Sequence, residues 1–304
     1  MMPTGKKRHY NPTLTQGRNR SGVLFALPSL VYLALTLVAP LLIALFLSLT
    51  DYSPLYSPRP KFIGINNFLR LFRDEQFLIA TYNTLVFTLG FLCLCISFSF
   101  VVALLIDTGI RGARVFNTAV FLPVIVPISL TSVAFVWILD PDFGIVNYML
   151  KLVGLGSIAA KWLSNPQTVV PSVVGVSIWR YAGISVVMFL SGLQAIPQEL
   201  SDSARVDGAN YFQELFKIRV PHLRETFLIV CVWNITISLK VFTQVKVMTG
   251  GGPGTASMVL YLYMYNNLLK YFRMGYASSI SLVIAVLVIA LTLLSDRLLK
   301  AERN

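Results

Sequence analysis

Acidic and basic side chains are concentrated in one segment of this chain, residues 196–221, which reads IPQELSDSARVDGANYFQELFKIRVP. Charged groups at such short spacing can form ion pairs and charge-assisted hydrogen bonds with another protein surface. Because the segment has no cluster of histidine or cysteine, its residue types predict contact chemistry rather than catalysis. Its acids are Glu199, Asp202, Asp207 and Glu214, and its bases are Arg205, Lys217 and Arg219.

A second set of polar side chains lies inside long apolar runs. An arginine at the centre of a membrane span costs about 2.5–3.5 kcal/mol, so it usually faces a cavity or a partner. The pattern predicts a hydrogen-bonding pathway across a membrane. The alternatives are polar contacts between helices and, for the lysine, a side chain that extends toward the membrane surface. The candidate pathway residues are Trp179, Arg180, Tyr181, Asn234, Ser238, Lys240 and Gln244.

The sequence contains no recognisable catalytic or metal-binding motif. It lacks the GxxxxGK[ST] phosphate loop as well as HExxH and GxSxG. The glycine-rich run at 250–254 has no following lysine and predicts a tight turn. We therefore predict no catalytic residue, no metal ligand and no cofactor bound by this chain. The three cysteines, Cys93, Cys95 and Cys231, lie in apolar stretches and suit packing.

The composition predicts a membrane protein. Hydrophobic residues make up 56% of the chain and charged residues 12%, whereas soluble domains carry about 25% charged residues. The net charge of +12 comes largely from bases that flank apolar runs. That distribution is typical of membrane topology and argues against nucleic-acid binding. The chain is thus predicted to be a multi-pass protein of the cell membrane.

Six apolar runs approach the length of about 20 residues that crosses a bilayer. They predict an all-α, polytopic membrane protein with six transmembrane helices. An even number of spans places both termini on one side. A basic tail at 1–21 precedes the membrane domain at 22–304. The predicted spans are Gly22–Leu49, Thr84–Ile106, Phe116–Leu139, Val169–Leu193, Thr226–Val247 and Ala277–Leu294.

Basic residues predict the orientation of these spans. The short segment between the second and third spans carries Arg111 and Arg114, and short basic loops stay in the cytoplasm. Both termini are therefore expected to be cytoplasmic, as is the basic tail. The same topology places the charged segment at 196–221 on the cytoplasmic side.

Within the charged segment the sequence predicts two short helices. Pro197 can start the first helix and Gly208 can end it, since glycine adopts a left-handed conformation at little cost. The second helix is expected at Asn210–Lys217, and Pro221 marks the return toward the fifth span. Three apolar residues at i, i+3 and i+4 on the second helix suit insertion into a groove of a partner. They are Phe212, Leu215 and Phe216.

The segment resembles the EAA loop of permeases from binding-protein-dependent ABC importers. Asp202-Ser203-Ala204 stands where the family has Glu-Ala-Ala, Gly208 follows at the family's spacing, and Ile218 and Pro221 complete the pattern. The form Asp207-Gly208-Ala209, with Glu199 before it, resembles the carbohydrate branch of MalF- and UgpA-like permeases. Further motifs agree with the family in order and spacing: LPSL, SLTDY, FIGINNF, NTLVFT, GLQAIP, VFTQVKVMTGGGP and GYASSISL.

The resemblance implies a type I importer permease without an ATPase site of its own. Its expected partners are a second homologous permease, two ABC ATPase subunits that use ATP and Mg, and an extracytoplasmic solute-binding protein. The substrate would be a sugar or sugar-like solute, moved by alternating access along spans four and five. The residues implied in ATPase coupling are Glu199, Asp202, Ser203, Ala204, Asp207, Gly208, Ala209, Phe212, Phe216, Ile218 and Pro221.

Two alternatives remain open at this point. The first is a permease of the same branch for a glycerophosphate or an acidic oligosaccharide, which Arg180 and Lys240 would suit. The second is an ion-coupled secondary transporter. Such a transporter needs carboxylates inside the membrane, whereas Asp107 and Asp296 lie at the ends of predicted spans.

Overall fold

The computed structural model describes residues 25–109 and 112–301, and the predicted basic tail lies outside these residues. The described part is dominated by helices, which confirms the all-α prediction. The helices are α1 (Phe25–Ser48), α2 (Asn66–Leu71), α3 (Glu75–Asp107), α4 (Ala113–Ile125), α5 (Ile128–Ile138), α6 (Ile145–Leu152), α7 (Val169–Gln194), α8 (Gln198–Val206), α9 (Tyr211–Glu214), α10 (Arg224–Leu239), α11 (Thr243–Met248), α12 (Leu260–Tyr265) and α13 (Met274–Ala301).

Five stretches of helix are long and apolar enough to cross a membrane. They are α1, α3, α7, α10 together with α11, and α13. The second of them, α3, begins nine residues before the predicted start at Thr84, because Asp74 caps it by accepting hydrogen bonds from the N–H groups of Gln76 and Phe77. These five spans agree with the sequence prediction.

The third predicted span, Phe116–Leu139, is not a continuous helix. It consists of α4 and α5, which meet at an angle of 102°. Val126 is extended (φ −68°, ψ 132°) in front of Pro127, as the steric effect of proline on the preceding residue requires. The prediction of an uninterrupted span was therefore wrong, although the bent pair can count as the sixth span.

The core of the bundle is formed where α3 packs along α7, with α10 against both. A cluster of buried side chains joins Ala103, Phe189, Leu193, Leu223 and Val230 near the ends of these helices. This cluster lies next to residues 196–223. We call the end of the bundle that carries residues 196–223 the loop end, and the opposite end the far end.

Buried asparagines fasten the segments at the far end and explain several of the sequence motifs. Asn67 donates to the carbonyls of Ser48 and Thr50 at 2.8 and 2.9 Å. Asn83 donates to two carbonyls in the segment before α12. Asn147 accepts from the indole N–H of Trp162 at 2.8 Å. Asn67 of the FIGINNF motif, Asn83 of the NTLVFT motif and Asn147 thus position the connecting segments around the spans.

Candidate functional site

The charged segment between α7 and α10 folds as a helix–turn–helix. α8 begins after Pro197 and ends at Val206, and Gly208 takes the left-handed conformation (φ +79°) that the sequence predicts. The N–H of Ala209 then donates to the carbonyl of Ala204 at 2.9 Å. That bond closes the helix end and lets the chain reverse direction.

The second helix starts as predicted and continues farther than predicted. Asn210 and Gln213 form a capping box at its start, with hydrogen bonds of 2.8 and 2.9 Å. Helical structure then runs on through a π-helical turn to His222, so Pro221 lies inside the helix. The predicted end at Lys217 was therefore too early.

Ion pairs around the buried Glu214 tie this helix–turn–helix to the transmembrane helices. Glu214 is 3% exposed and accepts hydrogen bonds from Arg205 at 3.3 Å and Arg219 at 2.9 Å. Arg219 also donates to Asp107, at the end of α3, at 2.9 Å. The chain of contacts runs from α8 through the second helix into a membrane span. The pairing of Arg219 with Asp107 has no signal in the sequence, because the two residues are 112 positions apart.

The environment of Glu214 favours its ionised form. Burial alone raises the pKa of this carboxyl, but hydrogen bonds from Ser201, Arg219 and Arg205 and the charge of Arg219 outweigh burial and lower the pKa below its usual value. Glu214 is thus a fixed negative charge between two arginines. It holds α8 and the second helix in a defined relative geometry.

The helix–turn–helix leaves an apolar surface uncovered. Val206, Phe212 and Phe216 are 87, 68 and 63% exposed, with Tyr211 beside them. The third anchor predicted from the i, i+3, i+4 pattern is Leu215. Only 5% of its surface is exposed, so it packs inward instead. Large exposed apolar side chains rimmed by charge mark an interaction surface.

The other predicted coupling residues divide into exposed and packed positions. Glu199, Asp202, Ser203, Asp207 and Pro221 are exposed, so their polar groups and the proline ring are free to contact a partner. Ala204 is a buried residue of α8, while Ala209 and Ile218 are half-buried. The small and apolar members therefore support the helix–turn–helix from inside, and the polar members form its outer surface.

The fifth span is interrupted among the predicted pathway residues. α10 ends at Leu239, Lys240 lies at its C-terminus, and the chain resumes as α11 at Thr243 after a non-helical Phe242 (φ −146°, ψ −61°). Non-helical backbone at membrane depth is tolerated only where it is buried in protein or lines a cavity. The sequence here has neither proline nor glycine, which explains why the break was not predicted.

A cavity of about 150 Å³ lies beside this break. Four of the seven predicted pathway residues line it, namely Tyr181, Ser238, Lys240 and Gln244. Gln244 reaches Ser177 on α7 with a contact of 3.4 Å. Several other lining residues were not predicted, because single aromatic and hydroxyl side chains in apolar stretches carry no distinctive signal. They are Phe87, Phe91, Ser177, Phe242 and Thr243.

The other three predicted pathway residues lie outside the cavity. Trp179 packs edge-on against Phe135, with ring centroids 5.1 Å apart. Asn234 is fully buried and donates to Ser185 at 3.0 Å, which is a contact between α7 and α10. Arg180 lies over the ring of Tyr181 at 5.3 Å. Its Nε and Nη1 atoms are buried without a hydrogen-bond partner among the described residues.

Several proteins match this chain in sequence over nearly their whole length. The probable ABC transporter permease protein YurN of Bacillus subtilis is 34% identical over 283 residues, which cover 92% of this chain and 96% of the relative. The sulfoquinovosyl glycerol transport system permease protein SmoG of Agrobacterium fabrum is 27% identical, covering 95% and 93%. The trehalose/maltose transport system permease protein MalF of Thermococcus litoralis is 28% identical, covering 90% and 91%.

A solved structure has the same fold. A chain of a bacterial ABC transporter involved in the import of the acidic polysaccharide alginate superposes with a TM-score of 0.80 at 25% identity, covering 95% of this chain and 99% of that one. Residues 18–301 match the family described as binding-protein-dependent transport system inner membrane component. With its apolar spans, the chain is a multi-pass membrane protein that belongs to this family of transport components.

Proposed function

We propose that this chain is one transmembrane subunit of an ATP-driven importer for a sugar or sugar-like solute. The observation that carries the proposal is the helix–turn–helix of residues 198–222, which has an exposed apolar surface and a partly buried ionic connection to α3. Relatives named for sulfoquinovosyl glycerol and for trehalose and maltose support a carbohydrate substrate. We place the loop end in the cytoplasm, as the basic loop before α4 predicts.

The helix–turn–helix would transmit closure of a cytoplasmic ABC ATPase to the membrane helices. Val206, Phe212 and Phe216 would insert into the ATPase, and Asp202 and Asp207 would hydrogen-bond around them. Movement of this surface would pass through Glu214 and Arg219 to Asp107, since buried ion pairs resist separation. ATP and Mg would be bound by the ATPase and not by this chain.

The cavity beside Lys240 would be one wall of the translocation pathway. Its volume of about 150 Å³ is below the roughly 300–1,000 Å³ of ligand-binding pockets. A second, homologous permease would therefore supply the opposite wall. A solute-binding protein would deliver the substrate at the far end, as the periplasmic protein in the alginate transporter complex supports.

Reconstitution of the complete transporter tests this proposal. This chain, its partner permease, the ATPase and the binding protein would be placed in liposomes, and uptake of a panel of radiolabelled sugars would be measured with ATP inside. We expect uptake of at least one sugar that requires ATP and the binding protein. Uptake that instead depends on an ion gradient would identify a secondary transporter and contradict the proposal.

A second candidate substrate class is an acidic or phosphorylated sugar. The buried Nε and Nη1 atoms of Arg180 have no partner among the described residues, and Lys240 lines the cavity. An anionic substrate in the cavity would be attracted by Lys240, and also by Arg180 from its position over the ring of Tyr181, which lines the cavity. For an acidic sugar, Arg180→Gln and Lys240→Gln should raise KM; for a neutral sugar, acidic analogues should not compete for uptake.

A further inference from the structure

A basic cavity lies at the far end of the bundle, apart from the helix–turn–helix and from the cavity beside Lys240. Its volume is about 890 Å³, and its walls come from the segment after α1, the end of α2 with the segment that follows it, and the turn that leads into α13. None of its lining residues lines the cavity beside Lys240. We call it the far-end cavity. Its charged lining residues are Arg70, Arg73, Lys270, Arg273, Asp51 and Asp74.

The far-end cavity has an excess of positive charge. Asp74 already accepts hydrogen bonds from the hydroxyls of Tyr263 and Tyr276, both at 2.5 Å, in addition to capping α3. Asp51 lies 4.0 Å from Arg70. Within residues 25–109 and 112–301, the other three cations have no carboxylate at ion-pair distance. They are Arg73, Lys270 and Arg273.

The turn that presents two of these cations is held rigidly. Phe272 has φ +54°, a conformation that is rare for residues other than glycine. The N–H of Arg273 donates to the carbonyl of Asn267 at 2.8 Å, and that of Gly275 donates to Tyr52 at 3.0 Å. Such strained backbone persists only where the surroundings fix it, and it is concentrated at ligand-binding and other functional positions.

The far-end cavity lies where three membrane-crossing helices, α1, α3 and α13, end or begin, and the ends of membrane spans lie close to the lipid headgroups. α1 leads to it with an exposed apolar surface that includes Leu45 (48%) and Phe46 (55%). Phe72, next to Arg73, is 72% exposed. Aromatic side chains from Tyr52, Tyr56 and Tyr271 line the cavity, and aromatic rings are enriched at membrane interfaces.

We propose that the far-end cavity binds the phosphate of an anionic phospholipid headgroup. Arg73, Lys270 and Arg273 would donate hydrogen bonds to the phosphate oxygens. The acyl chains would lie along the exposed apolar surface of α1. A soluble phosphate ester or an acidic surface of the binding protein would use the same cations, but neither would use that apolar surface.

Lipid titration of the purified transporter tests the proposal. The full chain, with its partner subunits in mild detergent, would be titrated with phosphatidylglycerol or phosphatidylcholine, and bound lipid would be measured by native mass spectrometry. The triple variant Arg73→Gln/Lys270→Gln/Arg273→Gln should need about a hundredfold more phosphatidylglycerol for half-maximal binding, or about fivefold for each basic residue removed. Binding of phosphatidylcholine should be weak and unchanged.

A matched control removes the same charge from the same end of the bundle. Arg59→Gln/Lys151→Gln/Lys161→Gln changes three exposed basic residues that do not line the far-end cavity, and we expect normal phosphatidylglycerol binding. If the triple cavity variant fails to assemble, Lys270→Gln/Arg273→Gln replaces it, with about a twenty-fivefold effect expected.

Three results would overturn the proposal. The first is equal loss of phosphatidylglycerol in the cavity and control variants, which would indicate nonspecific attraction. The second is displacement of the bound lipid by millimolar glycerol phosphate, which would identify a soluble ester as the ligand. The third is normal lipid binding together with weaker association of the solute-binding protein, which would assign the cations to protein docking.

Discussion

Removal of the charge on Glu214 should uncouple transport from ATP hydrolysis. The carboxylate is 3% exposed and contacts Arg205 at 3.3 Å and Arg219 at 2.9 Å. Glu214→Gln keeps the size of the side chain and replaces the anion with a neutral amide. The two guanidinium groups then lose their shared partner, although Arg219 keeps Asp107 at 2.9 Å.

The magnitude follows from the geometry. At 2.9 Å and an effective dielectric constant of about 20, the attraction between Arg219 and Glu214 is about 6 kcal/mol before desolvation is subtracted. Removing one partner of a buried ion pair costs about 3–5 kcal/mol. Because Arg219 keeps its contact with Asp107, we expect a free-energy loss of about 3 kcal/mol. That loss corresponds to about a hundredfold lower population of the state in which the helix–turn–helix is joined to α3.

The assay compares uptake with ATP hydrolysis in the reconstituted transporter. For Glu214→Gln we expect uptake to fall by at least about tenfold at equal protein levels, with less uptake for each ATP hydrolysed. Asp107→Asn should have a smaller effect, since Asp107 and Arg219 are each 18% exposed. The control is Glu225→Gln, an exposed acid nearby that makes no ion pair with another described residue.

A double-mutant cycle tests whether uptake depends on the contact between Asp107 and Arg219 or on what each residue contributes separately. If Asp107 and Arg219 act through their contact, Asp107→Asn combined with Arg219→Gln should reduce uptake by less than the product of the single effects. The prediction would be wrong if Glu214→Gln assembled normally and kept uptake within about twofold of the parent protein, because the expected free-energy loss corresponds to a much larger fall in uptake.

Three further outcomes follow from the described geometry. Gly208→Val should reduce uptake while Gly208→Asn retains most of it, since the left-handed φ of +79° costs about 1–2 kcal/mol for ordinary residues and less for asparagine. Because the pKa of Glu214 is lowered in the folded protein, its ionised carboxylate stabilises the fold at pH values above the ordinary carboxyl pKa of about 4.3. The melting temperature should therefore fall as the pH drops below that value, and it should fall less in Glu214→Gln. Gly192→Ala places a Cβ 2.3 Å from Oγ1 of Thr226, whereas the Cβ of Gly175→Ala meets nothing within 4 Å. Thermal unfolding should therefore show a free energy of unfolding lower by about 1–3 kcal/mol in Gly192→Ala and unchanged in Gly175→Ala.

Much of the fold could be predicted from the sequence because lipid imposes a simple rule. A span must satisfy its backbone within one helix, so a long apolar run such as Val169–Leu193 is sufficient evidence for α7. The bend at Val126 also had a signal in Pro127, which the sequence prediction did not use. Gly208 predicted the turn between α8 and the second helix, since few other residues take that conformation readily.

The site was predicted less completely, because its contacts join distant parts of the chain. Four predicted pathway residues converge on one cavity, but the break after Leu239 that opens the cavity has no marker in the sequence. Leu215 matched the pattern of an exposed anchor, yet it is buried. Periodicity shows which residues share a helix face, but not what covers that face.

By itself, the sequence determined that this chain spans a membrane, carries a charged segment at 196–221 and turns at Gly208. These properties follow from local composition and backbone sterics. Only the tertiary structure decided that Glu214 and Arg219 connect the segment to Asp107, and that basic residues from two distant parts of the chain surround one far-end cavity. Ion pairs and cavities depend on distances in space, which residue order alone does not specify.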